Sequence, residues 1–190
     1  MISAQRMYRM TGNETLWDIA THCNQLLRSA GIPYSICGGV AVCLHGYQRN
    51  TIDLDLVIRG QDSEQVRRVL ESGGLIWDSV AKEFRSESGI AVQFLISGEN
   101  AGSGLEVRVP DPSGKENVEM IEGLSVLRLS RLIEMKLACG STNMRRTHKD
   151  FADVVELIVI RKLDGSFARH LHKSLRPAFR ELVKRTRNEP

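Results

Sequence analysis

The chain has 190 residues, 42% of them hydrophobic and 26% charged, with a net charge of +3. That composition suits one soluble globular unit with a full core and excludes a disordered or fibrous chain. No apolar run approaches the roughly 20 residues that span a bilayer, and Met1 to Met7 carries no secretory hydrophobic stretch, so a cytoplasmic protein with no membrane partner is the expectation. Four cysteines, Cys23, Cys37, Cys43 and Cys139, stand scattered without a Cys-x-x-Cys pair. The first three lie among apolar residues and read as buried free thiols and not as disulfides or zinc ligands.

In chain order, the spacing predicts a helix from Glu14 to Ala30, a short strand Tyr34-Ser35-Ile36-Cys37, a turn at Gly38-Gly39 and a helix over Val40 to His45. Glycines at such a turn let the backbone approach a ligand, and the unpaired N–H groups of a helix start can face an anion. The same pair also serves as a plain tight turn. His45 is expected to pack at the helix end. Next, Arg49-Asn50-Thr51-Ile52-Asp53-Leu54-Asp55-Leu56 alternates acidic and apolar residues, the pattern of a strand with one polar and one apolar face. Asp53 and Asp55 therefore point the same way, about 6–7 Å apart along the strand. Carboxylates at that spacing suit a hard divalent cation, and alternating acids also occur on solvated strand faces. What distinguishes this stretch is that glycine pair and paired acids belong to one short unit.

Asp62-Ser63 is placed to cap a helix through Val66 to Leu70. Strands are predicted around Leu75 to Val80 and Gly89 to Ile96, bracketing the polar stretch Lys82 to Ser88, and Gly98 to Asn117 is expected to form a long loop over the sheet. A further helix runs from Ser130 to near Gly140. Within it Lys136 follows Leu132 and Ile133 at helical spacing, so its stem lies beside the apolar face; it either snorkels at the edge of the core or reaches a phosphate. Thr147-His148-Lys149-Asp150 reads as a capping box with Asp in place of Glu, opening a helix through Phe151 to Ile158.

Residues 161 to 190 carry nine Lys or Arg against three Asp or Glu, a net of +6. Arg169, Lys173, Arg176, Arg180, Lys184 and Arg187 recur at three- and four-residue steps beside Ala168, Leu171, Leu175, Phe179 and Leu182. This is an amphipathic helical pattern, with Pro177 starting or kinking a helix. Its basic side is either a solvated face or a guide for an RNA backbone.

Gly38-Gly39, the short helix, His45-Gly46, Arg49-x-Thr51 and Asp53-Leu54-Asp55-Leu56 together resemble the nucleotidyltransferase superfamily that shares the DNA polymerase beta palm fold. Within it the chain is similar to the minimal nucleotidyltransferases and the abortive-infection toxins. The likeness extends upstream through Gly31-Ile32-Pro33-Tyr34 and downstream through Leu129 to Leu137 and Lys149-Asp150-x-x-Asp153. It implies an α/β (α+β) nucleotidyltransferase fold, a small mixed sheet flanked by helices, with the core over residues 1–125 and a helical part over residues 126–190. It also implies that Gly38 and Gly39 bind the nucleotide phosphates and that Asp53 and Asp55 hold Mg2+ (or Mn2+) on an NTP. Arg49, Thr51 and Lys136 would contact the nucleotide, with Lys149 and Asp153 at the cleft. The implied reaction moves an NMP from the NTP to a hydroxyl of an RNA, a protein or a small molecule, in a toxin–antitoxin or phage-defence setting with a partner protein.

The resemblance places a third acid at Gln93. An amide coordinates a cation through its carbonyl oxygen but carries no charge and cannot act as a base near neutral pH. Glu83, Glu87 and Glu99 are the nearby acids; one of them compensates only if the fold brings it inward, and each otherwise reads as a solvated position. An active enzyme therefore stands beside a degenerate protein that binds a nucleotide or a partner without transfer.

Overall fold

The computed structural model describes residues 3–10, 12–102, 106–142 and 144–188. At its centre is β1 (Tyr34–Cys37), whose four residues are all buried, as a strand covered on both faces must be. Beside it, antiparallel, lies β2 (Asp53–Ile58), with Cys37 opposite Asp55. The alternation in β2 works as expected: Leu54 and Leu56 are fully buried on one face, while Asp53 and Asp55 are half-buried on the other. Parallel to β2 runs β5 (Ala91–Ile96), which sets Ala91 beside Asp53 and Gln93 beside Asp55.

Two short strands extend that side, β4 (Glu83–Arg85) and β3 (Ile76–Asp78), both antiparallel to their neighbours. On the other side β7 (Leu124–Leu127) pairs in parallel with β1 at Val126 and Ile36, and β6 (Val118–Ile121) forms the edge. The result is a mixed seven-stranded sheet in the order β3-β4-β5-β2-β1-β7-β6. It is the α/β nucleotidyltransferase architecture that the motifs implied.

Helices cover the sheet: α1 (Ala4–Met10), α2 (Glu14–Ser29), α3 (Gly38–Leu44), α4 (Ser63–Ser72), α5 (Leu129–Thr142), α6 (Met144–Ile160) and α7 (Arg176–Asn188). In α2, Leu16, Ala20, Cys23 and Leu27 recur at helical spacing and are all buried, and this face packs on β2 and β7. His45, just beyond α3, is buried and its Nε2 donates to the Leu127 carbonyl at 2.8 Å. Burial lowers its pKa below the ordinary value. Its role is helix-end packing. The cysteines are free thiols, and Cys23, Cys37 and Cys43 are buried. Among the described residues, no helix is long and apolar enough to cross a membrane.

Several local expectations need correction. Asp62 does not cap α4 through its side chain; Arg59 takes both of its oxygens, at 2.6 and 3.0 Å. Thr147-His148-Lys149-Asp150 is no capping box, because α6 already begins at Met144. The Thr147 hydroxyl instead donates to the Gly140 carbonyl at 2.7 Å. Gly140 is no helix stop either: a Cβ there would lie 2.9 Å from Phe151 Cδ2, so the glycine lets α5 and α6 touch. Glu83 to Arg85, read as part of a polar connection, forms a strand. The hairpin β6–β7 has no counterpart in the elements expected from the sequence; it turns through Glu122-Gly123, both at positive φ, as a two-residue hairpin turn requires.

The Gly98 to Asn117 stretch, of which residues 103–105 lie outside the described residues, folds back on itself. Val109 N donates to Glu99 O and Ala101 N to Val107 O, and Ala101, Val107 and Val109 are buried. Pro177 is the second residue of α7, where a missing N–H costs nothing. Leu171, Leu175 and Phe179 are buried, and Arg180, Lys184 and Arg187 are exposed.

Candidate active site

The turn from β1 into α3 explains why the sequence places two glycines together. Gly38 has φ of +60°, and a Cβ there would stand 1.8 Å from Asp55 Oδ2. A Cβ on Gly39 would stand 2.3 Å from Thr51 Oγ1 and 3.3 Å from Arg49 Nη2. The Asp55 carboxylate thus rests against one glycine, and Thr51 and Arg49 against the other. Thr51 in turn donates to Asp53 Oδ1 at 2.9 Å. Asn13, which sequence reasoning passed over, donates to the Thr51 carbonyl at 2.6 Å and to Asn50 Oδ1 at 3.3 Å, pinning the approach to β2.

Gly38→Ala tests this packing. The added methyl must displace Asp55 and also occupy a left-handed backbone conformation that costs an L-residue about 1–2 kcal/mol. A misplacement near 1 Å at a reacting centre costs on the order of a hundredfold in rate. The expected outcome is a folded protein by circular dichroism whose turnover is down by about that factor.

A second cluster joins Arg49 to the middle turns of α5 and α6. Arg49 grips Asp153 with two hydrogen bonds, Nε to Oδ1 at 2.6 Å and Nη2 to Oδ2 at 2.9 Å. Lys136 Nζ lies 2.7 Å from Asp150 Oδ1 and 2.8 Å from Asp153 Oδ2. Both acids are 1% exposed and Lys136 is 6% exposed. Burial pulls the Lys136 pKa down, but the attraction of Asp153 and Asp150 outweighs it, and the net shift is upward. The structure therefore unites Arg49, Lys136 and Asp153, with both cations engaged by carboxylates. Lys149 is exposed on α6.

The third feature is the position of the expected extra acid. Gln93 stands beside Asp55 in the sheet, and its Nε2 donates to Glu83 Oε2 at 2.8 Å. Glu83, read as solvated, is 6% exposed and also accepts from Arg85. A β-strand too short to show periodicity brought it inward. Between the sheet and α5 lies a cavity of about 210 Å³, lined by Gly38, Asp55, Gln93, Leu132, Lys136 and Asp150 among others.

Asp53, Asp55 and the Gln93 carbonyl offer only hard oxygen donors, which suit Mg2+ or Mn2+. Among the described residues no three His, Cys, Asp or Glu side chains form a metal-holding group, so the set consists of two acids and an amide. Mg2+ is commonly held by one or two carboxylates, with waters and substrate phosphates completing its shell. The donors fit.

The aminoglycoside-2''-adenylyltransferase family matches residues 21–153 in sequence. The chain belongs to that family. It is a nucleotidyltransferase. A comparison with curated protein sequences gives no match. Among solved structures, the solution structure of the antibiotic-resistance factor ANT(2'')-Ia is similar over 91% of this chain and 92% of that one, with 10% identity and a TM-score of 0.53. The crystal structure of ANT(2'')-Ia in complex with adenylyl-2''-tobramycin covers 88% of this chain and 98% of that one, at 14% identity and a TM-score of 0.53. An antigenic nucleotidyltransferase-like protein from Paracoccidioides brasiliensis covers 88% and 91%, at 17% identity and a TM-score of 0.50. These likenesses show the fold, and the family match carries the activity class.

Proposed function

We propose that the enzyme moves AMP from ATP to a hydroxyl of a small, polar, aminoglycoside-like acceptor, with Mg2+ or Mn2+ held at Asp53 and Asp55. The single observation that carries the reading is the contact of the Asp55 carboxylate with Gly38, which sets one acid of the pair and a glycine of the turn side by side in the wall of one cavity. The family match is what points to this acceptor class.

The acceptor hydroxyl oxygen forms a bond to the α-phosphorus and releases its proton to water, the bond from that phosphorus to the bridging oxygen breaks, and pyrophosphate leaves. A bound divalent cation supplies charge neutralisation on the α-phosphate and on the departing pyrophosphate. Gly38 is half-buried and lines the cavity, where its backbone would meet a phosphate, whereas Gly39, expected to bind phosphate as well, is buried beneath Thr51 and Arg49. Thr51 fixes Asp53 through its hydroxyl. Arg49 and Lys136 place two cations at the border of the site, held in position by Asp150 and Asp153. Lys149, exposed on α6, is given no contact.

The test is an incubation of the protein with α-labelled ATP, Mg2+ and separate acceptor panels of aminoglycosides, transfer RNA and lysate protein. Label on an aminoglycoside, with a mass gain of one AMP, is the expected outcome. Label on RNA or protein instead overturns the small-molecule acceptor. Nucleotide binding without transfer is the result favoured by the amide at Gln93, and it would make the protein a degenerate binder.

A further inference from the structure

One row of side chains crosses the sheet at the level of Asp55. Cys37 is opposite Asp55, and Asp55 is opposite Gln93. The register that sets Phe84 opposite Val92 continues to Glu83 opposite Gln93, and Asp78 stands opposite Glu83. Cross-strand partners share a face of the sheet, so Glu83 and Asp55 flank Gln93 from the two sides.

Glu83 belongs to a three-residue strand one place from the sheet edge, yet it is 6% exposed. A carboxylate buried there must have partners, and it has two: Arg85 on Oε1 and the Gln93 amide on Oε2. A carboxylate only accepts hydrogen bonds, so the Gln93 nitrogen has to face Glu83. The amide's carbonyl oxygen is then the atom left for the cavity that Gln93 lines together with Asp55 and Gly38.

We infer that Glu83 is a positioning residue of the metal–nucleotide site: it locks the Gln93 amide so that its carbonyl oxygen joins Asp53 and Asp55 in the donor set. This rests on the reading of Asp53 and Asp55 as that site. The amide therefore replaces an acid without removing an oxygen donor from the site, because its orientation is fixed from one strand further out. Donation from the amide to a carboxylate also draws negative charge onto the carbonyl oxygen, which makes it a better ligand. Arg85 balances Glu83, so the pair adds orientation at the site and little net charge. One corollary is that Gln93→Asp alone sets two carboxylates against each other across β4 and β5.

The experiment is a Mn2+ titration of the full chain with a non-hydrolysable ATP analogue, read by the electron paramagnetic resonance signal of free Mn2+. The variants are D55N, E83A, E83Q and the swap E83Q/Q93E, each with a melting curve. E83A is expected to weaken Mn2+ binding by about 10- to 100-fold, the usual cost of losing a group that orients a ligand. E83Q keeps an acceptor for the amide and is expected to restore binding to within a few-fold of wild type at an unchanged melting temperature. The swap moves the carboxylate beside Asp55 while preserving donor, acceptor and net charge, and it is expected to bind Mn2+ at least as tightly as wild type. Wild-type affinity in E83A, or a loss of more than about tenfold in the swap, overturns the role of Glu83. If E83A does not fold, the swap alone decides. D55N is expected to abolish binding; wild-type affinity there overturns the site itself, a failure separate from that of Glu83.

Discussion

On the proposal that Asp55 holds the metal, Asp55→Asn is expected to lower kcat for nucleotidyl transfer by at least about a thousandfold while the protein keeps its fold. The magnitude follows from what a metal-held carboxylate contributes. Charge stabilisation at a phosphoryl centre is worth several kcal/mol, and each 1.36 kcal/mol is about a factor of ten. Asparagine has the volume of aspartate, so the contact with Gly38, where a Cβ would come within 1.8 Å of Oδ2, is preserved. The substitution removes one charge and leaves the packing alone. It also relieves repulsion between Asp53 and Asp55, so the melting temperature of the metal-free protein is expected to hold or rise. Initial rates with ATP and the accepted hydroxyl compound, beside a melting curve, check both statements. A variant that keeps a tenth or more of wild-type kcat would place the metal elsewhere.

Lys136→Met has its large effect on stability. Lys136 is the ammonium shared by Asp150 and Asp153, and methionine removes it from both buried acids while Arg49 still holds Asp153. Breaking a buried ion pair on one side costs about 3–5 kcal/mol, which for a chain of this size lowers the melting temperature by roughly 10 °C. The wild-type protein shows the same linkage in its pH dependence. Because the Lys136 pKa lies above its ordinary 10.5 in the folded state, its contribution is complete below about pH 10.5 and fades as pH rises through the higher folded value. Urea melts of wild type and K136M from pH 8 upward are expected to differ by a constant amount up to about pH 10.5, then converge. A gap that stays constant well above that pH would show that the ion pair is not the source of the difference.

The elements that were legible in the sequence are those whose signal is local. Asp53 and Asp55 alternate with leucines over one strand, and α2 repeats its apolar residues over sixteen positions. The glycine pair announced a close approach, and the structure names what approaches: the side chains of Asp55, Thr51 and Arg49. The parts that stayed hidden depend on residues far apart in the chain. Arg49 and Asp153 are separated by 104 positions, and no periodicity connects them. Glu83 was missed for another reason. Three residues of strand are too few to display alternation, and an acid near a sheet edge ordinarily faces water. Asp150 had a good local explanation as a cap residue, and a tertiary partner, Lys136, displaced it.

The parallel pairing of Ile36 with Val126 has a consequence for how the protein is made. β1 leaves the ribosome about 90 residues before the strand that covers its second edge, a delay of roughly 5–20 s at ordinary synthesis rates. For that interval the chain exposes an apolar strand edge of the kind that pairs with other chains. Gly38 and Asp55 emerge during it, whereas Lys136 and Asp153 follow only later. The nascent chain therefore passes through a sticky, inactive stage, and its yield in a cell depends on whatever shields β1 until Val126 arrives.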